Sequence, residues 1–206
     1  MSFQIPAGRT VAAVLALSLA VSACDSNEPN DAAGDQEFVT QVVLRLQNPA
    51  TSSDVVTVTA TDADGDGGGL VFATTGGTLR AGVTYRGTIE LNDTINSASI
   101  TQEIQGEAEE HLFRYTVDPA AAGTVALTDR ESDYGAQTGA NLPVGLTFDL
   151  AVAPGATGTA SVNATLFHFE DAARKTSATS TSDERDIDID FPVSFGAPTA
   201  ADGAGQ

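Results

Sequence analysis

Two stretches of strict alternation constrain this chain more than anything else in it. Val144, Leu146, Phe148, Leu150 and Val152 recur at every second position, and so do Ile187, Ile189, Phe191, Val193 and Phe195, with Asp186, Asp188 and Asp190 interleaved. Successive side chains on an extended backbone point to opposite faces, so a period of two marks a strand with one buried side. The pattern returns in Phe38, Val42, Leu44 and Leu46, in Val56, Val58 and Ala60 between threonines, in Tyr85, Ile89 and Leu91, and in Ala160, Val162, Ala164 and Leu166. Pro154, Gly155 and Gly158 between two of these runs suit a hairpin connection.

One segment departs from this period. In INSASITQEIQGEAEEHLF, Ile100, Ile104, Ala108 and Leu112 fall four apart while Glu103, Glu107 and Glu110 take another side, which predicts a short helix despite Gly106. Strands do not alternate with long helices, and turn residues recur at short intervals. The expectation is therefore an all-β fold, an antiparallel immunoglobulin-like sandwich of about eight strands with one short helical segment. Its 41% apolar residues, rich in alanine and valine beside many threonines, suit strands. The β-sandwich domain is expected over residues 37–195, with a disordered tail at 196–206 and a mobile polar loop at 171–184.

The N-terminal region carries an address. Val11 to Ala23 is a largely apolar run, interrupted only by Ser18 and Ser22, preceded by Arg9 and followed by Cys24, the one cysteine of the chain. Spanning a bilayer takes roughly 20 residues, so the run reads as a cleaved export signal, residues 1–23. Val21-Ser22-Ala23-Cys24 has the order of a lipobox, which makes Cys24 the lipidation site and the start of the mature protein. The alternative is an ordinary secretory signal that leaves Cys24 as a thiol. Exported proteins generally pair their cysteines, so a lone one favours the lipid. Residues 24–36, acidic and without periodicity, read as a flexible tether.

Charge removes one class of function. Asp and Glu number 28 against 9 Lys and Arg, a formal net charge of −19. Phosphate recognition needs clustered bases, so no nucleic-acid partner is expected. The acidity reads as solubility in a salty, halophilic setting or, alternatively, as a recognition surface.

Two clusters hold ligand-type side chains. Asp62, Asp64 and Asp66, with Gly67, match the first half of a calcium loop, in which alternate carboxylates converge on a hard cation. The glutamate of the twelfth loop position is replaced by Ala73, and a plain Asp/Gly turn between strands 55–61 and 70–74 is the competing reading. Glu107, Glu110 and His111 would share one helical face, with Glu109 alongside, and could offer a transition-metal site. The competing reading is an acidic helix end, since a zinc motif of this kind needs a second histidine on the face and His168 lies in a separate strand. No nucleophile elbow is present, no carboxylate pair is singled out, and the chain is expected not to be an enzyme.

The acidic lipidated start, TATDADGDGGG, the following GGTLRAGVTYRGTIELND and then EIQGEAEEHLF together resemble a group of small cell-envelope lipoproteins of Bacteroidetes-like bacteria. In that group a D-x-DGDGG loop precedes a GGTL hairpin and an EEAEEH-x-F segment. The likeness spans about residues 38–195, and Gly106 stands where the group tends to be acidic. It implies a β-rich envelope lipoprotein without assigned activity, with an outer-membrane transporter as a conceivable partner. The expectation is thus a membrane-anchored, non-catalytic binding or structural module on the periplasmic or surface side. The alternative is a solute- or metal-binding accessory of an outer-membrane uptake system, with Ca2+ as its candidate cofactor.

Overall fold

The computed structural model describes residues 38–65, 69–135 and 140–196. Cys24, the expected signal (1–23) and tether (24–36), Asp66 and Gly67 lie outside the described residues, as does the expected tail apart from Gly196, which ends a strand. Among the described residues, ten strands form two sheets. They are β1 (Gln41–Gln47), β2 (Val55–Thr61), β3 (Val71–Thr75), β4 (Leu79–Arg80), β5 (Thr84–Asn92), β6 (His111–Asp118), β7 (Gly123–Leu127), β8 (Thr147–Val152), β9 (Gly158–His168) and β10 (Arg185–Gly196), with one helix, α1 (Ile100–Gly106), between β5 and β6. One sheet runs β3-β2-β1-β5-β8-β7 and the other β4-β10-β9-β6. The protein is an all-β sandwich, as the alternation predicts, with ten strands in place of about eight. The two-residue β4 pairs parallel with β10, while the other pairings are antiparallel.

Register turns the periodic residues into one core. Leu44 faces Val58 on one side and Ile89 on the other, so β1, β2 and β5 bury the same face. On the second sheet Phe113, Tyr115 and Val117 of β6 lie opposite Leu166, Ala164 and Val162 of β9. Both rows join one buried cluster with Phe148, Leu150, Phe191 and Val193, with the half-buried Tyr115 packed against it. Ile100, Ile104, Ala108 and Leu112, the four-spaced set, are all buried, yet α1 stops at Gly106 and Leu112 already belongs to a strand.

Tight packing makes some backbone positions exclusive. Gly145 has φ +94°, a region side chains rarely adopt, and an added Cβ would lie 2.6 Å from the Phe113 Cβ. Its amide donates to Asp129 Oδ1 at 2.7 Å and its carbonyl accepts from the Tyr115 hydroxyl at 2.7 Å. Strain and overpacking therefore add at a residue that cannot move without losing two hydrogen bonds. Gly145→Ala is expected to lower the unfolding free energy by roughly 2–4 kcal/mol, which a urea denaturation curve reads as a lower midpoint at unchanged slope.

Candidate functional site: a buried histidine pair beside a carboxylate

His111 and His168 are direct cross-strand partners. They continue the inward row of Phe113–Leu166 and Tyr115–Ala164 by one more step, so two imidazoles occupy places where core side chains belong. They are 0% and 2% exposed. Their rings stack with centroids 4.6 Å apart and an interplanar angle of 20°.

The Asp186 carboxylate, its side chain 2% exposed, completes the cluster: Oδ2 lies 3.7 Å from His111 Nε2, and Oδ1 lies 3.9 Å from His168 Nδ1. Strict alternation would put Asp186 on the wet face with Asp188 and Asp190. A register shift in the β9–β10 ladder between Arg185 and Ile187 changes that, since such a bulge turns a side chain away from its alternating face. Through Asp186 the cluster borders a cleft of about 140 Å³ that Asp62 and Asp188 also line.

His111 Nδ1 lies 3.1 Å from the backbone carbonyl of Glu107. A carbonyl can only accept, so Nδ1 carries the hydrogen and Nε2 of the neutral ring presents a lone pair. Burial pushes the His111 imidazole down to about 4. The hydrogen bond to Glu107 opposes that shift, and His168 and Lys175 add to it. The ring is therefore neutral at physiological pH. Nε2 of His168 has no hydrogen-bond partner among the described residues, which is uncommon for a buried polar atom.

The expected helical face of Glu107, Glu110 and His111 does not form, because the helix ends at Gly106 and His111 opens β6. Two of the three are brought together all the same, with a different third member: donor atoms of Glu107, His111 and His168 lie within 4.8 Å of one another. Glu110 instead gives its backbone carbonyl to the amide of Phe169, and burial, aided by Glu107, raises its carboxyl. Of the aspartate loop, Asp62 is buried and accepts from the amide of Gly65 at 3.1 Å, whereas Asp64 is exposed. That bond closes a turn between β2 and β3, and Ala73 lies in β3 opposite Thr59.

Two polar networks that the sequence did not reveal flank the core. Asp129 accepts from the amides of Gly145 and Thr147 and from the Tyr134 hydroxyl. Beside it, Lys175 Nζ meets Glu131 Oε1 at 2.8 Å with side-chain exposures of 0% and 5%, and donates to the Ala108 carbonyl at 2.7 Å. The segment expected to be a mobile polar loop thus buries the only lysine of the chain. On the other side Asp54 Oδ2 accepts from Asn48 and from the Tyr85 hydroxyl. Asp129 and Glu131 hold backbone amides, and the three carboxylates are met by hydroxyl, amide or cationic donors.

A family model described as "Family of unknown function (DUF6296)" matches residues 38–102, the stretch from β1 through β5 into α1. No curated protein and no solved structure matches the chain.

Proposed function

We propose that the chain is a cell-envelope lipoprotein whose sandwich acts as a non-catalytic binding or structural module. One observation carries this reading: the only cysteine closes a lipobox-like Val21-Ser22-Ala23-Cys24 at the end of a short apolar run. Acylation at Cys24 would tether the domain, because each buried CH₂ contributes about 0.8 kcal/mol and more than one chain gives stable anchoring. Among the described residues no helix is long and apolar enough to cross a membrane. Support for a non-catalytic role comes from Asp129, Glu131 and Asp54, whose carboxylates are engaged by amides, Lys175 and Tyr85.

Cys24→Ser is the test. The variant is expected to lose its membrane fraction and its acyl mass while keeping the far-ultraviolet spectrum of the folded sandwich. A wild-type protein with an unmodified amino terminus, or a variant that fractionates like it, would remove the reading. A second reading, a solute- or metal-binding accessory of an outer-membrane uptake system, is favoured by the buried histidine pair.

A further inference from the structure

We propose that two copies of this chain pair through β3, antiparallel across a two-fold axis, so that their larger sheets join edge to edge. The inference goes beyond the readings above and holds whether or not Cys24 carries lipid.

The two sides of the sandwich end differently. On one side β7 lies against β6 of the other sheet, and β6 carries Arg114 and Asp118. On the other side β4 is two residues long, and β3 pairs, among the described residues, with β2 alone. Natural sheets blunt such an edge with charge, proline, a bulge or a very short strand. β3 has none of these. Its register with β2 runs unbroken from the Thr57/Thr75 pair to the Thr61/Val71 pair, and residues 69–79 hold no charged side chain and no proline in a chain of net charge −19.

Apolar surface gathers at the same edge. All five residues of β3 are exposed. Of the five large apolar side chains exposed among the described residues, four are Phe38, Leu70, Val71 and Phe72, at 42%, 37%, 67% and 39%. Phe38 packs on Gly65 in the turn before β3. Phe72 lies opposite the buried Ala60 and so faces between the sheets, where its ring meets the buried Phe191 edge-on at 6.3 Å. An open strand edge beside exposed apolar side chains is what an incoming strand covers.

Charge and register select a second copy as that strand. A basic partner finds no carboxylate on β3 to meet, whereas a second β3 brings no charge against the first. With Ala73 on the axis, Val71 falls opposite the partner's Thr75 and Phe72 opposite the partner's Thr74, so a larger side chain meets a smaller one at each step. The antiparallel arrangement also keeps the turns that carry Asp62 and Asp64 at opposite ends of the joint, each beside the uncharged end of the partner's strand. Like-with-like pairing about a two-fold axis closes on itself. A five-residue edge falls short of the ~800 Å² per partner of a standard interface, so the dimer is weak, with a Kd on the order of 100 µM.

The full chain is purified in detergent with micelles in large excess, so that chance sharing of a micelle does not count as pairing, and is followed by sedimentation velocity and hydrogen–deuterium exchange. A reversible monomer–dimer step is expected. It should tighten several-fold as NaCl rises from about 0.05 to about 1 M, because salt screens the repulsion between two acidic bodies. Backbone exchange in β3 should slow as the protein concentration rises.

Val71→Glu, at a site 67% exposed, should weaken the dimer about tenfold or more at unchanged fold. Phe72→Glu should do the same. Ile95→Glu adds the same charge at an exposed apolar residue in the turn after β5, three strands from β3, and should leave the dimer intact. A chain that stays monomeric into the millimolar range at both salt levels would overturn the proposal. So would a dimer whose protection falls outside β3, or one that survives the Val71 change. Association that loosens as salt rises would mark attraction between opposite charges and equally reject pairing of β3 with itself.

Discussion

Lys175→Met is expected to lower the unfolding free energy by about 3–5 kcal/mol, the range found when one partner of a buried ion pair is removed. Methionine fills a similar volume, so the loss is not a cavity effect. It comes from Glu131, whose Oε1 then faces the core without the ammonium 2.8 Å away, and from the Ala108 carbonyl, which loses its donor. A stability of 5–15 kcal/mol is ordinary for a domain, so the variant should lie near the edge of folding at 37 °C.

Two further measurements separate this cause from generic damage. Glu131→Gln in the same chain should return most of the loss, because the amide oxygen can still accept from Leu142, as Oε2 does now at 2.9 Å, while the buried charge is gone. The single variant should also approach wild type as the pH falls. An unpaired buried carboxyl has a folded-state pKa above its unfolded value of about 4.3. Its penalty is full above the folded pKa and fades as protons are taken up on the way down. A Lys175→Met protein within about 1 kcal/mol of wild type would show that the pair is solvated, and the segment between β9 and β10 would then not be pinned as described.

That segment shows where sequence reading stops. Local period identified β1, β2, β5, β8, β9 and β10 because each presents one apolar face. It missed β6, where Leu112 and Phe113 are adjacent and both buried: Phe113 faces the main core and Leu112 joins Phe167 and Phe169 in a second small cluster. It missed β7, whose five residues are only half buried or exposed at a sheet edge. Lys175 was hidden for a related reason. A single base in a Ser/Thr-rich stretch carries no period, and only the positions of Glu131 and the Ala108 carbonyl draw it inward.

The histidine site divides in the same way. Glu107 and His111 are close in sequence, and their nearness was legible, though as a helical face that the chain does not build. His168 is far along the chain and becomes a neighbour only through the β6–β9 register. Asp186 sat in the clearest alternation of all and was assigned to water by it. One bulge reverses that assignment, and bulges leave no mark in a hydrophobic period. The signal that could have been used is scarcity: the 206-residue chain has two histidines, His111 next to Glu110 and His168 between Phe167 and Phe169, and each lies at a strand end.

The three tyrosines of the chain should all resist ionisation until the sandwich unfolds. Tyr85 is fully buried, and its hydroxyl donates to Asp54 and accepts from the amide of Arg80. Burial foremost, with the Asp54 charge helping, pushes the phenol up to about 12. Burial raises Tyr115 well above the usual value, and the Asp129 charge adds to that. Tyr134, whose hydroxyl donates to Asp129 at 2.7 Å, is raised by burial and by that carboxylate.

A phenol with a raised folded-state pKa lends stability that is complete below its unfolded value near 10 and drains away as the pH climbs through the folded value. For Tyr85 the window is about pH 10 to 12, and the loss across it is on the order of 3 kcal/mol. The other two add to it in the same direction, so alkali should unfold the protein cooperatively. Tryptophan is absent, which leaves the phenolate ultraviolet band uncluttered. A native titration should show no step near pH 10, then one steep rise worth three tyrosines that coincides with the loss of the β-sheet circular dichroism. Tyr85→Phe should move that midpoint to higher pH by removing one of the three protons. A simple one-proton step near 10 in a still-folded chain would show that at least one hydroxyl is in water, against the networks that tie Tyr85 to Asp54 and Tyr134 to Asp129.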